Sequence, residues 1–347
     1  MELWAWGANN YGQLGNGQPC EQVERPLVVG TSPGTLDLNS ESKVIPGGGH
    51  TLLLTDGRLY AAGWNTKGQC GLGSDQDHVP QFVKVNIPTA FVKVSAGWDF
   101  TIGIDKDGVA YGCGSNAFGQ LGLESSLKVV KEFREIDMPL KVSSVACGMR
   151  HSIFKCDEND KICVCGNGKK GQLCNPEGPL KENTYKPVIV KFDKKICDVK
   201  AGQNFTMLEF HDKSKKLFGD TKHMVFSDIE EKLSIDDVIQ TEVGWTHVAS
   251  LHQNGLVQAA GRSDYGQING VADLKDITKI SIGYEHGLAV DKSFELFSWG
   301  WNEHGNCGLG HTENVFQPMK VTLEAGRKVI NCFAGSGHSF ALANNRL

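Results

Sequence analysis

The side chains best suited to chemistry in this sequence are five histidines. His50, His151, His247, His286 and His338 each stand fourth in a G-x-x-H motif. An imidazole titrates near neutral pH and ligates metals, so a recurring set raises the idea of a metal centre or of general bases. Each one, however, comes with its own glycine turn, and a fold built from such units holds them apart. The reading that follows is a histidine hydrogen-bonded within its own unit, with no metal ligand and no catalytic residue assigned. Gly47-Gly48-Gly49 and Gly166-Asn167-Gly168-Lys169-Lys170 resemble phosphate loops in composition only. Neither has the spacing G-x-x-x-x-G-K-[ST] or a following helix to offer its N-terminus, so both read as turns. The cysteines number 11, an odd count without paired C-x-x-C spacing. They read as free thiols packed as small apolar residues in a reducing compartment. No Ser-His-Asp or Cys-His set stands out, and neither an enzyme nor a cofactor is implied.

Other turn residues are better suited to contact than to catalysis. Trp98, Trp245 and Tyr284 occupy the x positions of these turns, as does Arg150, and Trp301 follows a related glycine. Asp99, Glu285, Glu303 and His304 stand beside them. Aromatics and arginine mixed with acids are the composition of a protein-binding hot spot, and packing between repeats is the competing use of the tryptophans.

These turns belong to a repeat. A glycine that ends an aromatic or apolar strand recurs at positions 7, 63, 114, 166, 219, 261 and 300, and Gly-Gln follows it in most copies. The G-x-x-H motif, with Phe100 and Phe205 replacing histidine twice, alternates with it one to one through seven cycles. A period of roughly 40 to 55 residues signals a repeat architecture rather than separate domains. Asp56-Gly57, Asp107-Gly108 and Asn254-Gly255 stand between apolar runs and predict hairpins. Each unit then holds about four short strands, which suits a propeller. The predicted fold is all-β, one seven-bladed β-propeller over residues 1–347, with the fifth copy, around 213–243, degenerate. The end of the chain lacks the aromatic strand with which it begins, so Leu3–Trp6 is expected to pair with the last blade and remove an open edge. Residues 16–42, with Pro26 and Pro33, read as loop. Leu127–Arg134 and Ile229–Val238 are weak helix candidates.

The net charge of −5 opposes a nucleic-acid module, no apolar run approaches a membrane span, and the start Met1-Glu2-Leu3-Trp4 has no signal core. A cytoplasmic location follows, with a nuclear pool allowed. Residues 181–222 are rich in lysine and 228–242 in acids, which reads as a solvated surface, with steering of a charged partner as the sharper alternative.

With both motifs in view, the chain resembles the regulator of chromosome condensation repeat family along its whole length. Gly97-Trp98-Asp99-Phe100-Thr101, Gly244-Trp245-Thr246-His247 and Trp299-Gly300-Trp301-Asn302-Glu303-His304-Gly305 are similar to two of its groups. One is the secretion-regulating guanine nucleotide exchange factors of animals. The other is the fungal alpha-tubulin suppressor, also known as a killer-toxin-insensitivity factor, which Gly283-Tyr284-Glu285-His286-Gly287 and the compact length favour. The resemblance implies a non-catalytic interaction propeller, monomeric until it binds a small zinc protein used in diphthamide synthesis and Elongator-dependent wobble-uridine modification of tRNA. Exchange on a small GTPase is the alternative, and a microtubule-related role a third. Some equivalent histidines of the chromosome-bound exchanger face its GTPase, which adds weight to His50, His247 and His338. The predicted partner-binding set is therefore Trp98, Asp99, Arg150, Trp245 and His247, with Tyr284, Glu285, Trp301, Glu303 and His304. The exchanger's inserted β-wedge and basic tail have no obvious counterpart.

Overall fold

A hairpin turn needs positive φ, and the Asp-Gly and Asn-Gly pairs supply it: Gly57, Gly108 and Gly255 have φ of 71°, 78° and 82°. In the computed structural model, which describes residues 1–29, 36–175, 178–180, 182–220, 222, 224–233 and 237–344, these hairpins join the middle strands of antiparallel sheets. There are seven sheets. Their inner strands begin at Lys43, Phe91, Val142, Ile196, Val238, Ile277 and Lys328, and each touches the inner strands on both sides around a closed ring. We number the blades 1 to 7 in that order. The fold is a seven-bladed β-propeller, and its core lies between blades as a series of apolar clusters.

Closure takes the expected form. Glu2–Ala8 runs antiparallel to His338–Asn344, with Trp4 opposite Ala341 and Trp6 opposite Ser339. Blade 7 is thus built from both ends of the chain, and Trp4 and Trp6 are buried against blade 6 residues such as Leu288.

Three local readings need correction. The stretch 16–42 is not loop throughout, because Gln22–Val28 forms the outer strand of blade 7; Pro33 lies outside the described residues. Pro26 sits inside that strand, as do Pro80, Pro187 and Pro318 in the outer strands of blades 1, 3 and 6. An outer strand has one unpaired side, so a missing N–H costs little there. Leu127–Arg134 is not helical, and Val129–Glu135 is the outer strand of blade 2. The helical signal at Ile229–Val238 is displaced: the helix is Phe226–Leu233, and Val238 opens the next strand.

That helix explains the degenerate copy. Blade 4 has three strands, and the helix packs against its outermost one, Lys215–Gly219, burying Ile229 and Leu233 beside Leu217 and Phe205. Glu230 accepts a hydrogen bond from the Leu217 N–H at 2.7 Å, occupying an edge donor that a fourth strand would have used. Blade 5 also has three strands, with a 3-10 turn, Val271–Asp273, at its edge. Lysines of the basic stretch pair with acids, Lys216 with Glu230 and Lys200 with Asp198. No described helix is long and apolar enough to cross a membrane.

Candidate functional site

The two motifs build one face of the ring. All seven strand-ending glycines have φ between 100° and 126°, and a Cβ on any of them would lie 2.3–2.6 Å from the carbonyl oxygen of the residue before the histidine or phenylalanine. The residue after each glycine donates its N–H to that same carbonyl, from Ala8 to Gly337 through Trp301 to Glu285. The following Gly-Gln turn is closed from within. Gln13, Gln69, Gln120, Gln172 and Gln267 each accept a backbone N–H two residues back through Oε1, all at 2.9 Å. At Lys169 and Lys170 the backbone donors are used in this way, by Asn167 and Gln172, so the loop is a blade turn and not an anion cradle.

Four of the five histidines are struts between blades rather than bonded within their own units. His50 Nε2 lies 3.0 Å from Thr101 Oγ1 in the next blade, and that hydroxyl donates to the Gln69 carbonyl at 2.8 Å. The hydroxyl proton being used, Nε2 carries a hydrogen and donates. The arrangement recurs at His151–Thr206–Gln172, His286–Ser339–Asn306 and His338–Thr51–Gln13. Where Phe100 takes the histidine's place, Ser152 in the next blade still donates to the Gln120 carbonyl. Between blades 4 and 5 the pattern is absent in all three places at once: Phe205 replaces histidine, Val248 replaces the hydroxyl, and the Gly-Gln turn is missing. Between blades 5 and 6, Gly287 offers no hydroxyl, and the Trp299 indole N–H takes the Gln267 carbonyl instead at 2.9 Å. His247 is left fully buried, with neither ring nitrogen bonded among the described residues. Burial pushes His50, His247, His286 and His338 down to about 3 and His151 to about 4, so all five are neutral. His247 therefore presents nothing to a partner, and neither do the enclosed His50 and His338. Among the described residues no group of histidine, cysteine and acid side chains could hold a metal.

The aromatic turn residues lie above this layer. Trp98, Trp245 and Tyr284, the first x residues of turns in blades 2, 5 and 6, converge over the central channel. Trp245 and Tyr284 stack at 3.9 Å with their planes 16° apart, and Trp98 reaches across the ring to within 5.3 Å of Trp245. The turns are laced to one another, Trp245 N–H to the Tyr284 carbonyl and Tyr284 N–H to the Gly335 carbonyl, both at 2.9 Å. The trio forms the floor of an open bowl of about 800 Å³. Trp245 and Tyr284 also border a channel cavity of about 240 Å³ behind it.

Seven of the ten predicted contact residues line the bowl: the trio, Glu285, Trp301, Glu303 and His304. Trp301 and His304 meet edge to face at 5.1 Å. Glu285 Oε2 accepts from Thr246 Oγ1 at 2.7 Å and Gln267 Nε2 at 2.8 Å, with Arg262 at 3.7 Å from the other oxygen. Burial raises its carboxyl above the ordinary value, opposed by these donors. Asp99, Arg150 and His247 do not line it. Burial likewise raises Asp99, and Arg150 is exposed with its guanidinium 4.4 Å over the Phe118 ring. Two walls escaped the sequence reading, Tyr11 and Trp64, stacked at 5.5 Å. Their signal was positional: Tyr11 precedes Gly-Gln as Tyr265 does, and Trp64 follows a strand-ending glycine as Trp301 does.

Comparison with known proteins gives a consistent result. Residues 2–341 match the RCC1-like domain. The secretion-regulating guanine nucleotide exchange factor of Mus musculus is 31% identical over 98% of this chain and 83% of its own length. An RCC1 repeat-containing protein of Schizosaccharomyces pombe is 28% identical over 92% of this chain and 93% of its own. Prp20p of Saccharomyces cerevisiae, whose structure is described with its binding to Gsp1p and histones, shares the fold with a TM-score of 0.83 at 18% identity, over 100% of this chain and 92% of that one. On its paired motifs, its closed ring and these matches, the chain belongs to the RCC1-like domain family.

Proposed function

We propose that this propeller is a non-catalytic docking module that seats a protein partner in the aromatic bowl. The observation that carries the reading is the Trp98–Trp245–Tyr284 floor. Large aromatic surface left partly exposed, ringed by Trp301, Glu285 and Glu303, is the kind of site where binding energy concentrates. The partner we propose is the small zinc protein of diphthamide synthesis and Elongator-dependent wobble-uridine modification, on the resemblance to the fungal propellers. The test is affinity capture from cytosol with wild type and a Trp98→Ala, Trp301→Ala double variant first shown to be folded. Capture of that zinc protein by wild type and its loss from the variant is the expected result. Equal capture by both overturns the docking reading.

A second reading is exchange on a small GTPase, favoured by the likeness to the secretion-regulating exchange factor. Its measurement is release of labelled guanine nucleotide from candidate GTPases. Acceleration at substoichiometric propeller concentration establishes exchange, and rates equal to the spontaneous ones remove it.

A further inference from the structure

Among the described residues, the bowl holds strong π-faces beside carboxylates with no cation upon them. Among the described residues five cation–π contacts occur, and all use Phe or Tyr: Lys128 on Tyr185, Arg150 on Phe118, Lys194 on Phe210, Arg262 on Tyr265 and Lys328 on Phe294. Tryptophan is the better cation binder of the aromatic side chains, yet none of Trp64, Trp98, Trp245 and Trp301, all in the bowl, has one. The bowl's own basic groups do not fill this role. Arg262 is held by both oxygens of Asp264, at 2.5 and 2.7 Å, and lies over Tyr265 at the rim. Lys222 is exposed at another part of the wall. On the acidic side, Glu303 is exposed and has no ion pair among the described residues, and Glu21 stands at the same wall. Arg262 is shared between Asp264 and Glu285, which leaves the carboxylates of Glu21 and Glu303 to outweigh Lys222.

We propose that the bowl takes an arginine side chain of the docked partner, its guanidinium laid on the Trp98–Trp245–Tyr284 floor and paired with Glu303. The inference rests on the docking reading and specifies the chemistry of the same site. Arginine fits better than lysine. A planar, weakly hydrated guanidinium stacks on an indole while its edge still donates to a carboxylate, whereas an ammonium keeps more of its hydration. Arg262 shows both halves of this arrangement at the rim, ring beneath and carboxylate at the edge.

The experiment is tryptophan emission of the full chain titrated with two probes, acetyl-Gly-Gly-Arg-Gly-Gly-amide and the same peptide with citrulline in place of arginine. Citrulline keeps the planar shape and loses the charge. The expected result is a saturable emission change with the arginine peptide at about tenfold lower concentration than with citrulline. Glu303→Gln should weaken the arginine peptide several-fold and leave the citrulline response unchanged. Equal responses to the two peptides, or no response to either, overturn the arginine inference. The captured-partner experiment then separates the two levels. If the Trp98→Ala, Trp301→Ala variant loses its partner while Glu303→Gln retains it in full and the peptides do not discriminate, docking stands and the arginine inference falls. If the double variant retains the partner, docking itself falls.

Discussion

The strut between blades 1 and 2 makes a quantitative prediction. Thr101 is fully buried, and its hydroxyl joins His50 Nε2 at 3.0 Å to the Gln69 carbonyl at 2.8 Å. Thr101→Val keeps the shape and removes both bonds, leaving two groups short of a partner: the buried His50 N–H, and the Gln69 carbonyl, which keeps the weak Cys113 S–H donor at 3.6 Å. Each such group costs about 1–3 kcal/mol, and the added methyl returns about 1 kcal/mol. The net loss is about 3 kcal/mol. For 347 residues, at about 2.1 cal/mol/K of unfolding entropy per residue, that lowers the melting midpoint by about 4 °C. Adding His50→Phe removes one of the two orphans and should recover about half the loss. A phenylalanine fits at that point of a turn, since Gly97 faces the Phe100 ring as Gly47 faces the His50 ring, and Phe205 with Val248 is already such a pair. The assay is thermal and urea unfolding of wild type, both single variants and the double. A loss below about 0.5 kcal/mol for Thr101→Val, or strictly additive variants, would refute the strut.

Further expectations follow from the same geometry. The five buried histidines bind protons only at about 3 to 4 when folded, against about 6.5 unfolded. Between these values the unfolded chain binds more protons, so stability is complete above pH 6.5 and falls as the pH drops below it. The limiting slope is about 1.4 kcal/mol per pH unit for each histidine, and unfolding midpoints at pH 7.5, 6 and 5 should show this, less steeply in His50→Phe. Gly63→Ala puts a Cβ 2.5 Å from the Gly49 carbonyl at φ 100°, whereas at Gly17 nothing lies within 4 Å. The first should cost several-fold more than the roughly 1 kcal/mol expected from positive φ alone at the second, read by the same denaturation. Deleting residues 2–8 exposes the His338–Asn344 edge, and light scattering should report association at concentrations where the full chain is monodisperse.

Much of this fold was legible because it is stated seven times. The strand-ending glycine recurs in all seven blades, the Gly-Gln turn in five and the histidine of the G-x-x-H turn in five, each meeting a local demand of the blade, so their period carried the architecture and the closure. The outer strands were not legible for the opposite reason. With one side unpaired they tolerate proline, and Pro26 read as a loop marker when it sits in an edge strand. The fate of His247 turned on Gly287, forty residues on, a dependence visible only once the blades are side by side. The site follows from what the repeat does not require. The first x residues of the seven turns are Gly48, Trp98, Met149, Gln203, Trp245, Tyr284 and Ser336. Blades with glycine, glutamine or serine there close as well as the others, so the ring asks nothing of this position. Three large aromatics from blades 2, 5 and 6 nonetheless meet over the channel, one of them reaching across it from the far side of the ring. Their conjunction is not a by-product of building a propeller, and that is the physical ground on which we propose recognition at the bowl rather than at the histidines.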